Sequence, residues 1–413
     1  MLPEMQQALR QYADLAVRVG LNLRAGQRLI VRAPLQTAPL VRLIAASAYR
    51  AGASLVDVQW RDDELTLIRF QEAPRDSFEQ FPSWQAQALL ESAERGDAFL
   101  SIVADDPDLL KGQDPALVGI AQKTAARQYQ PFQRLMARNA TNWLVISAPI
   151  ESWAAKIFPH EPPEQRETRL WEAIFRVCRI GQADPVAAWQ AHVERLVATS
   201  DYLNHRRYAA LKYRAPGTDL TIGLPDGHRW ASGRVTSENG IAFIPNMPTE
   251  EVFTLPHRGQ VSGVVSSTRP LSLDGALIDD FSLTFAEGRV VDVRARSGES
   301  HLRRLIETDE GAGRLGEVAL VPHSSPIAQS GLLFYNTLFD ENAASHLALG
   351  RAYRFSLAGG EALSEEQFGQ AGGNTSLIHT DFMIGSGQMD VDGVRQDGTV
   401  EPLMRAGEWA FEL

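Results

Sequence analysis

The sequence lacks the features that mark disulfide-bonded, exported and membrane-spanning proteins. Its 413 residues include one cysteine, Cys178, which excludes an internal disulfide and suits a reducing cytoplasm. We expect Cys178 to be a buried packing residue in a helical stretch. No apolar run reaches about 18 residues, the length that a membrane-spanning helix needs. Residues 1–20 are typical of an amphipathic helix containing acids and not of an export signal. These absences favour a cytoplasmic protein with no membrane partner.

An excess of positive charge is also missing. The formal net charge is −11, from 40 Lys and Arg against 51 Asp and Glu. Because a polyanion is repelled by this charge, we expect no nucleic-acid partner. Internal repeats and low-complexity tracts are absent as well, and 44% hydrophobic with 22% charged residues is an ordinary globular composition. At this length, two domains are the default expectation.

The first half of the chain alternates strand and helix signals. The stretch "QRLIVRA" (27–33) is typical of a buried strand, Thr37 and Pro39 open a helix that stops at Gly52, and "ASLVDVQW" (53–60) follows as a second strand. The alternation continues with strands at 97–104 and 141–149, each preceded by a helical stretch. This order predicts a mainly parallel sheet covered by helices, an α/β domain over residues 1–205.

The second half has a different sequence pattern, in which short strand-like runs are separated by turns. The turn dipeptides are Asp226-Gly227, Asn239-Gly240, Asp274-Gly275, Glu287-Gly288 and Asp392-Gly393. The stretch "FSLTFAEGRVVDVRA" (281–295) is typical of a hairpin. We therefore predict a mixed α+β C-terminal domain over residues 206–413.

Acids stand in unusual surroundings at two places in this half. Glu250 and Glu251 follow a proline turn in "NMPTEEVFT", and neighbouring residues of an extended chain face opposite ways, so at most one is expected to enter a shared site. Glu317 lies inside the apolar run "LGEVALVP". If that strand is internal, the carboxylate requires a cation, a basic partner or a proton; on an edge strand it would face water.

A third segment, "LFYNTLFDENAASHLALGRAYRF" (333–355), combines polar residues with a helical pattern. The spacing predicts a helix capped by Asn342, with Glu341 just before it and His346 and Tyr353 on one face, with Asp340 pointing elsewhere. A capped surface helix with a satisfied histidine is the alternative.

The fourth segment, "HTDFM", places His379 and Asp381 on the same face of a strand-like run. Together the four segments offer up to four carboxylates, two imidazoles and a tyrosine, more than one tetrahedral zinc needs. Such a set suits two divalent ions that share a bridging carboxylate and water. Imidazole makes a single calcium site less suitable.

In that order, "NMPTEEVFT", "LGEVALVP", "LFYNTLFDENAASHLALGRAY" and "HTDFMIGS" resemble the M29 family of metal-dependent aminopeptidases, and the resemblance extends over essentially the full length. It implies a homodimer of two-domain chains that holds two divalent ions, zinc, cobalt, manganese or magnesium. It also implies the metal-site residues Glu251 (or Glu250 in its place), Glu317, Glu341, His346, Tyr353, His379 and Asp381.

The function predicted from the sequence is the removal of N-terminal residues from peptides with a free N-terminus, by water activated at a dinuclear metal site. Glu317 and Tyr353 are the predicted catalytic residues. Tyr353 is a donor to the oxyanion, and the proton is transferred either by Glu317 or by whichever of Glu250 and Glu251 does not bind a metal ion. Two alternatives are a metal-dependent amidase acting on non-peptide substrates in the cytoplasm and a non-catalytic peptide-binding protein.

Overall fold

The computed structural model describes residues 3–273 and 276–413, so the predicted Asp274-Gly275 turn lies outside the described residues. The chain forms two compact units. Unit 1 comprises Met1–Ala191 and Arg234–Pro248, and unit 2 comprises His192–Gly233 and Thr249–Leu413. The division into domains at residue 205 stays a prediction.

Unit 1 contains a four-stranded parallel sheet. Its strands are β1 (Arg28–Pro34), β2 (Leu55–Arg61), β3 (Ala98–Val103) and β4 (Trp143–Ser147), in the order β2-β1-β3-β4. Two further short strands, β8 (Val235–Thr236) and β9 (Ala242–Phe243), pair with each other. Each of the four strands lies where a strand-like run predicted it. The inner strands β1 and β3 are largely buried and have almost continuous apolar sequences, whereas the edge strand β2 is mostly exposed or half-buried.

Helices connect these strands, as predicted. The helix opened by Thr37 and Pro39 ends just before Gly52, which has a positive φ. Cys178 directly follows the helix Pro163–Val177 and is buried, as expected. The helices of the first part of the chain are α1 (Pro3–Leu15), α2 (Ala38–Arg50), α3 (Asp63–Glu72), α4 (Ser83–Glu94), α5 (Pro115–Ala137), α6 (Glu151–Ile157), α7 (Pro163–Val177) and α8 (Pro185–Arg206). Among the described residues, no helix is both long and apolar enough to cross a membrane.

Unit 2 is built on antiparallel sheets. The larger has the order β12-β13-β11-β6-β5-β18-β19-β20, with β14 paired to β13. The predicted hairpin is present, with Glu287 and Gly288 at its turn. The strands are β5 (Ala210–Ala215), β6 (Thr218–Gly223), β11 (Val261–Ser266), β12 (Leu271–Leu273), β13 (Ala276–Ala286), β14 (Arg289–Ser297), β18 (Asp390–Val394), β19 (Val400–Arg405) and β20 (Glu408–Trp409).

The smaller sheet of unit 2 has five strands in the order β17-β16-β15-β10-β7. They are β7 (Ala231–Ser232), β10 (Val252–Thr254), β15 (Leu315–Leu320), β16 (His346–Gly350) and β17 (His379–Met383). Short helices accompany the sheets: α9 (Glu299–Ile306), α10 (Pro326–Ser330), α11 (Thr337–Asp340) and α12 (Glu365–Gln370). The predicted fold class, a parallel α/β part followed by a mixed α+β part, is confirmed.

One local prediction is wrong. The helix predicted to start at Asn342 is instead the short helix α11, capped by Asn336, followed by a 3-10 turn at Glu341–Ala343 and then by strand β16. All five residues of β16 are buried between two neighbouring strands. Tertiary pairing therefore decides the conformation here, because the helix-like spacing of apolar residues is also compatible with a strand buried on both faces.

Candidate metal centre

Three neighbouring strands of the smaller sheet place two carboxylates in one row. Glu317 on β15 lies opposite Ala348 on β16, and Ala348 lies opposite Asp381 on β17. Residues opposite each other across an antiparallel pair share a face of the sheet. Glu317 and Asp381 therefore project to the same side, and the small Ala348 side chain between them leaves room for a ligand.

The two histidines join this face by the alternation of strand residues. His346 lies two positions before Ala348, and His379 lies opposite Gly350, two positions after it. Side chains two residues apart on a strand point the same way. The sheet thus brings His346, His379, Glu317 and Asp381 together.

A bulge at Gly316 sets the orientation of Glu317. The register shifts between Leu315 and Glu317, and a Cβ at Gly316 would lie 2.4 Å from the carbonyl oxygens of Gly350 and Arg351. Only glycine fits this close approach of two backbones. The open question of whether β15 is internal is also answered, since β15 lies between β10 and β16 with every residue buried.

The side chains of Glu250 and Glu251 have different partners, as expected for neighbours on an extended chain. Glu251, just before β10, has Oε2 3.1 Å from His346 Nε2. Glu250 has Oε2 3.6 Å from Nε2 of the buried His192, whose ring nitrogen also contacts the carbonyl of Thr249 at 2.8 Å. Of the two glutamates, the one that approaches the histidines of β16 and β17 is Glu251.

Among the residues that the structure describes, two groups of side chains have the spacing of metal ligands. One is Glu251, Glu317 and His346, and the other is Glu317, His379 and Asp381. Glu317 belongs to both: Oε1 lies 3.6 Å from His346 Nε2 and Oε2 lies 3.7 Å from His379 Nε2. One carboxylate oxygen thus faces each group, as a bridging carboxylate would.

Glu341 borders these groups without belonging to either. Burial, and then the charges of Glu251 and Asp381, raise its pKa well above the ordinary value, so it lies close to the same cluster. Asn342 Nδ2 donates to Glu341 Oε1 at 3.4 Å, and Asn342 Oδ1 accepts the backbone N–H of Glu250 at 2.7 Å. Asn342, which the sequence suggested only as a helix cap, therefore links the two segments that carry Glu251 and Glu341.

Tyr353 lies at the rim of the cluster. Its ring centroid is 4.9 Å from that of His379, and it stacks on Phe355 at 5.3 Å. The side chain is 37% exposed. Burial of the hydroxyl and the nearby charges of Glu317 and Asp381 raise its pKa above the ordinary value, so the hydroxyl keeps its proton and can donate a hydrogen bond.

Both histidines present Nε2 to the cluster because Nδ1 is engaged elsewhere. His346 Nδ1 lies 3.1 Å from the carbonyl of Ala344, and His379 Nδ1 lies 2.7 Å from the carbonyl of Arg351. Since a carbonyl only accepts, each Nδ1 carries the proton. A backbone carbonyl on Nδ1 is the usual second partner of a metal-binding histidine.

The ionisation of the cluster reflects competition between burial and charge. Burial raises the pKa of Glu317 to about 7. Burial opposes protonation of His379, but the adjacent Asp381 outweighs it and raises the pKa of His379 to about 9. His346 behaves likewise: burial is outweighed by Glu251 and Glu317, and its pKa lies well above the ordinary value. Without a metal ion, then, protons on the histidines offset part of the negative charge.

These side chains fit a metal ion better than they fit one another. Glu251 Oε2 and Asp381 Oδ1 are buried without a hydrogen-bond partner, although Nε2 of His346 lies 3.1 Å from the first and Nε2 of His379 lies 3.4 Å from the second. Within the described residues, the ion pairs of Glu251, Glu317 and Asp381 are all with these two histidines and none is with Lys or Arg. Buried carboxylates with such partners and with oxygens that lack a hydrogen bond call for a cation.

Comparison with known proteins agrees with this geometry. The family model described as thermophilic metalloprotease (M29) matches residues 5–409. Aminopeptidase 2 of Geobacillus stearothermophilus is 51% identical over 99% of both chains, and aminopeptidase AmpS of Bacillus subtilis is 48% identical over 99% of this chain and all of its own. The solved structure of wild-type AmpT from Thermus thermophilus matches with a TM-score of 0.93 at 48% identity, covering 98% of this chain and all of the other.

The chain belongs to the M29 family. The predicted resemblance is confirmed, and so is the activity it implied, that of a metal-dependent aminopeptidase, a hydrolase acting on peptide N-termini. Within this M29 protein, the sequence missed one buried residue at the site, His192, which contacts the segment bearing Glu250. Its helical context in "AWQAHVERL" carries no signal that could have indicated this contact.

Proposed function

We propose that this chain removes N-terminal residues from peptides with two divalent ions held by the cluster of β15, β16 and β17. The ligands are Glu251, Glu317, Glu341, His346, His379 and Asp381, with Tyr353 beside them. The observation that carries the proposal is Glu317, whose two oxygens each face a different group of ligands.

Charge supports two ions over one. The cluster holds four carboxylates, Glu251, Glu317, Glu341 and Asp381, which are all buried or partly buried. With both histidines neutral at Nε2, as ligation requires, the ligands carry a charge of about −4, which two divalent cations balance. Buried charges that are left unbalanced are costly. Zinc, cobalt, manganese and magnesium all remain candidates, although two imidazoles favour a transition metal over magnesium.

When bound, such ions lower the pKa of water and polarise a carbonyl. The chain's own residues then have separate tasks. Glu317, central in the cluster, has two lone pairs on each oxygen, so one pair on each oxygen can face an ion while another takes the proton of the attacking water and passes it to the leaving amine. The Tyr353 hydroxyl donates a hydrogen bond to the oxygen that gains charge, which is possible because this hydroxyl stays protonated.

Selection for the N-terminus follows from the same charges. A substrate with a free α-amino group brings a nitrogen that can ligate a metal ion or pair with a carboxylate of the cluster, whereas an acetylated nitrogen can do neither. An exopeptidase is thereby favoured over an endopeptidase. We also propose, from the resemblance to the family, that the chain acts as a homodimer in the cytoplasm.

The test compares leucine p-nitroanilide with its N-acetyl form, before and after EDTA treatment and after addition of each metal, with the ions counted by elemental analysis. We expect two ions per chain, loss of cleavage with EDTA, recovery on metal addition, and cleavage of the free-amine substrate alone. Cleavage that survives complete removal of metal, or equal cleavage of the acetylated substrate, would contradict the proposal.

A further inference from the structure

A row of polar side chains crosses the parallel sheet of unit 1. Arg32 on β1 lies opposite Gln59 on β2 and Ser101 on β3, and all three are half-buried. Residues opposite each other on neighbouring parallel strands project to the same face of the sheet, about 4.8 Å apart. These three side chains, the polar row, are therefore close enough to contact one small ligand.

The sheet is packed differently one step closer to the amino ends of its strands. Ile30 and Phe99 lie opposite each other there, and both are buried in a cluster with Phe132 of α5. At the polar row, Arg32 and Ser101 are only half-buried. The helices thus cover the sheet at Ile30 and Phe99 and leave the polar row partly open to solvent.

The polar row lies where open parallel sheets bind ligands. The strand order is β2-β1-β3-β4, so the chain passes from β1 to β2 at one edge of the sheet and then crosses to β3 and β4. The order therefore reverses between β1 and β3, and ligands of such sheets bind at the carboxyl ends of the strands at this reversal. Arg32 and Ser101 lie in the carboxyl-terminal halves of the two strands that flank it.

Arg32 has an aromatic partner in place of an acidic one. Its Cζ lies over the ring of Tyr129 on α5, 5.6 Å from the ring centroid, and its side chain forms no hydrogen bond or ion pair with any described residue. Burial lowers the pKa of Arg32; Tyr129 opposes this effect, and the charge of Arg61 adds to it. Since a ring carries no net charge, the guanidinium keeps its positive charge and its five N–H donors for a ligand.

The neighbouring arginine, Arg61, is already paired with acids. Its Nε donates to Asp63 Oδ1 at 3.1 Å, and its Nη2 donates to Asp105. Neither acid forms an ion pair with Arg32 in the described part of the chain. Together with Arg32 this group has no net charge, so a singly charged anion suits the surroundings better than a doubly charged one.

Ser101 and Gln59 add neutral donors beside Arg32. Within the described residues, the Ser101 hydroxyl and the Gln59 amide form no hydrogen bond. A carboxylate has two oxygens with about four sites for hydrogen bonds, of which a guanidinium fills two in a bidentate pair. The hydroxyl and the amide can donate to the other two.

We propose that the polar row is a binding site for a small molecule that carries a carboxylate group. The Arg32 guanidinium forms a bidentate ion pair with this group, and Ser101 and Gln59 donate hydrogen bonds to it. The site lies in unit 1 and uses no residue of the proposed metal centre, so the inference stands apart from the proposed function.

The test follows the side-chain N–H signal of Arg32 by heteronuclear NMR of the full metal-loaded chain. Sodium acetate, sodium phosphate and sodium chloride are added in separate titrations at matched ionic strength. The signal is assigned by its absence from Arg32→Met, in which the methionine keeps an apolar contact with Tyr129. The matched control is Arg28, an exposed arginine at the amino end of the same strand, assigned with Arg28→Met.

We expect acetate to shift the Arg32 signal to saturation, with a lower half-saturation concentration than phosphate, and chloride to leave it in place. The Arg28 signal should saturate with none of the three salts. Ser101→Ala should raise the half-saturation concentration of acetate by about tenfold, because one hydrogen bond to a charged group is lost. Circular dichroism verifies that each variant is folded.

Three outcomes overturn the inference. If acetate moves the Arg32 and Arg28 signals alike, there is no site, and Arg32 is only a stacking partner of Tyr129. If phosphate saturates the Arg32 signal at a lower concentration than acetate, the class of ligand is wrong. Equal half-saturation in Ser101→Ala and wild type would show that the polar row does not act as one site.

A second variant covers the case in which Ser101→Ala does not fold. Gln59→Ala alters the edge strand β2 and should weaken acetate binding in the same way. No readout in this experiment depends on peptide cleavage, so its failure would leave the proposed aminopeptidase function untouched.

Discussion

Two buried carboxylates, one in each unit of this chain, have different partners. In unit 1, Asp97 is buried and its Oδ2 lies 2.7 Å from Nη2 of Arg95, an ordinary structural ion pair. In unit 2, Glu317 is equally buried, but its ion-pair partners are the two histidines His346 and His379. A carboxylate that has an arginine is satisfied by the chain itself, whereas one that has only histidines and other acids is left to bind a metal ion.

The strands that carry these residues show the same contrast. Strand β3 of unit 1 is buried and consists of apolar residues and a serine. Strand β15 of unit 2 is buried at every position and yet contains a glutamate. A polar interruption of a fully buried strand costs stability, so it is retained where it supplies chemistry.

The largest effect is expected when one buried carboxylate in each unit is neutralised, which tests whether the two carboxylates have different roles. Glu317→Gln keeps the size of the side chain but removes the shared charge. We expect kcat/KM to fall by at least about 10³-fold and the ion count to drop, because the shared side chain loses its charge and one of its two oxygens becomes an amide NH2, which does not bind a metal ion. Metal-free Glu317→Gln should unfold at the same temperature as the metal-free wild type or higher, since repulsion among the acids is relieved.

Asp97→Asn is the matched control for this experiment. It weakens the pair with Arg95 and should lower the free energy of unfolding by about 1–2 kcal/mol without changing kcat/KM or metal content. Both variants are measured by thermal unfolding, elemental analysis and leucine p-nitroanilide cleavage. Retained activity with two bound ions in Glu317→Gln would mean that the shared carboxylate is not needed, and the distinction between the units would lose its basis.

Whether a feature of the fold or of the metal site could be predicted from the sequence depends on the kind of contact that forms it. The strands of unit 1 and the pairing of His379 with Asp381 follow from local patterns, apolar runs and strand alternation, and the structure confirms them. The conformation around His346 does not follow from a local pattern, because "HLALG" fits a helix or a buried strand equally well. Pairing with the neighbouring strands β15 and β17 decides that it is a strand.

Contacts between distant segments also could not be predicted from the sequence. The bulge at Gly316 depends on the backbone of Gly350 and Arg351, and the contact of His192 with Thr249 spans more than fifty residues. The choice of Glu251 over Glu250 came from the resemblance, while local alternation predicted only that one of them enters the cluster.

One tyrosine in each unit allows the roles of two hydroxyl groups to be compared. Tyr353→Phe should lower kcat by about a hundredfold and leave metal content and unfolding temperature unchanged, because it removes a donor to the developing oxyanion and nothing structural. Tyr12→Phe is the counterpart: the Tyr12 hydroxyl donates to the carbonyl of Ser147 at 3.0 Å in the core of unit 1. It should cost about 1 kcal/mol of stability and no activity.

Steady-state kinetics over the full range of substrate concentration distinguish the roles of the two tyrosines. If Tyr353→Phe raises KM while kcat is preserved, Tyr353 contributes to substrate binding rather than to the oxyanion. An unfolding temperature that falls as far as in Tyr12→Phe would instead assign Tyr353 a structural role.

The smallest expected effect concerns two fully buried asparagines that each join distant segments. In unit 1, Asn142 Nδ2 donates to the carbonyl of Leu21 at 2.8 Å, and its Oδ1 accepts from Gln27 at 2.6 Å. In unit 2, Asn342 accepts from the backbone of Glu250 and donates to Glu341. Replacement of either by alanine leaves buried polar groups unsatisfied and should cost about 1–3 kcal/mol.

The two alanine variants differ in what else they change. Asn342→Ala should also weaken metal binding by about 10–100-fold, as loss of a residue that orients ligands does, whereas Asn142→Ala should leave it unchanged. Competition with a chelating indicator dye measures the affinity directly, without relying on activity. Equal metal affinity in the two variants would show that Asn342 only stabilises the fold; a selective loss in Asn342→Ala would extend the difference between the units from the carboxylates to the residues that position them.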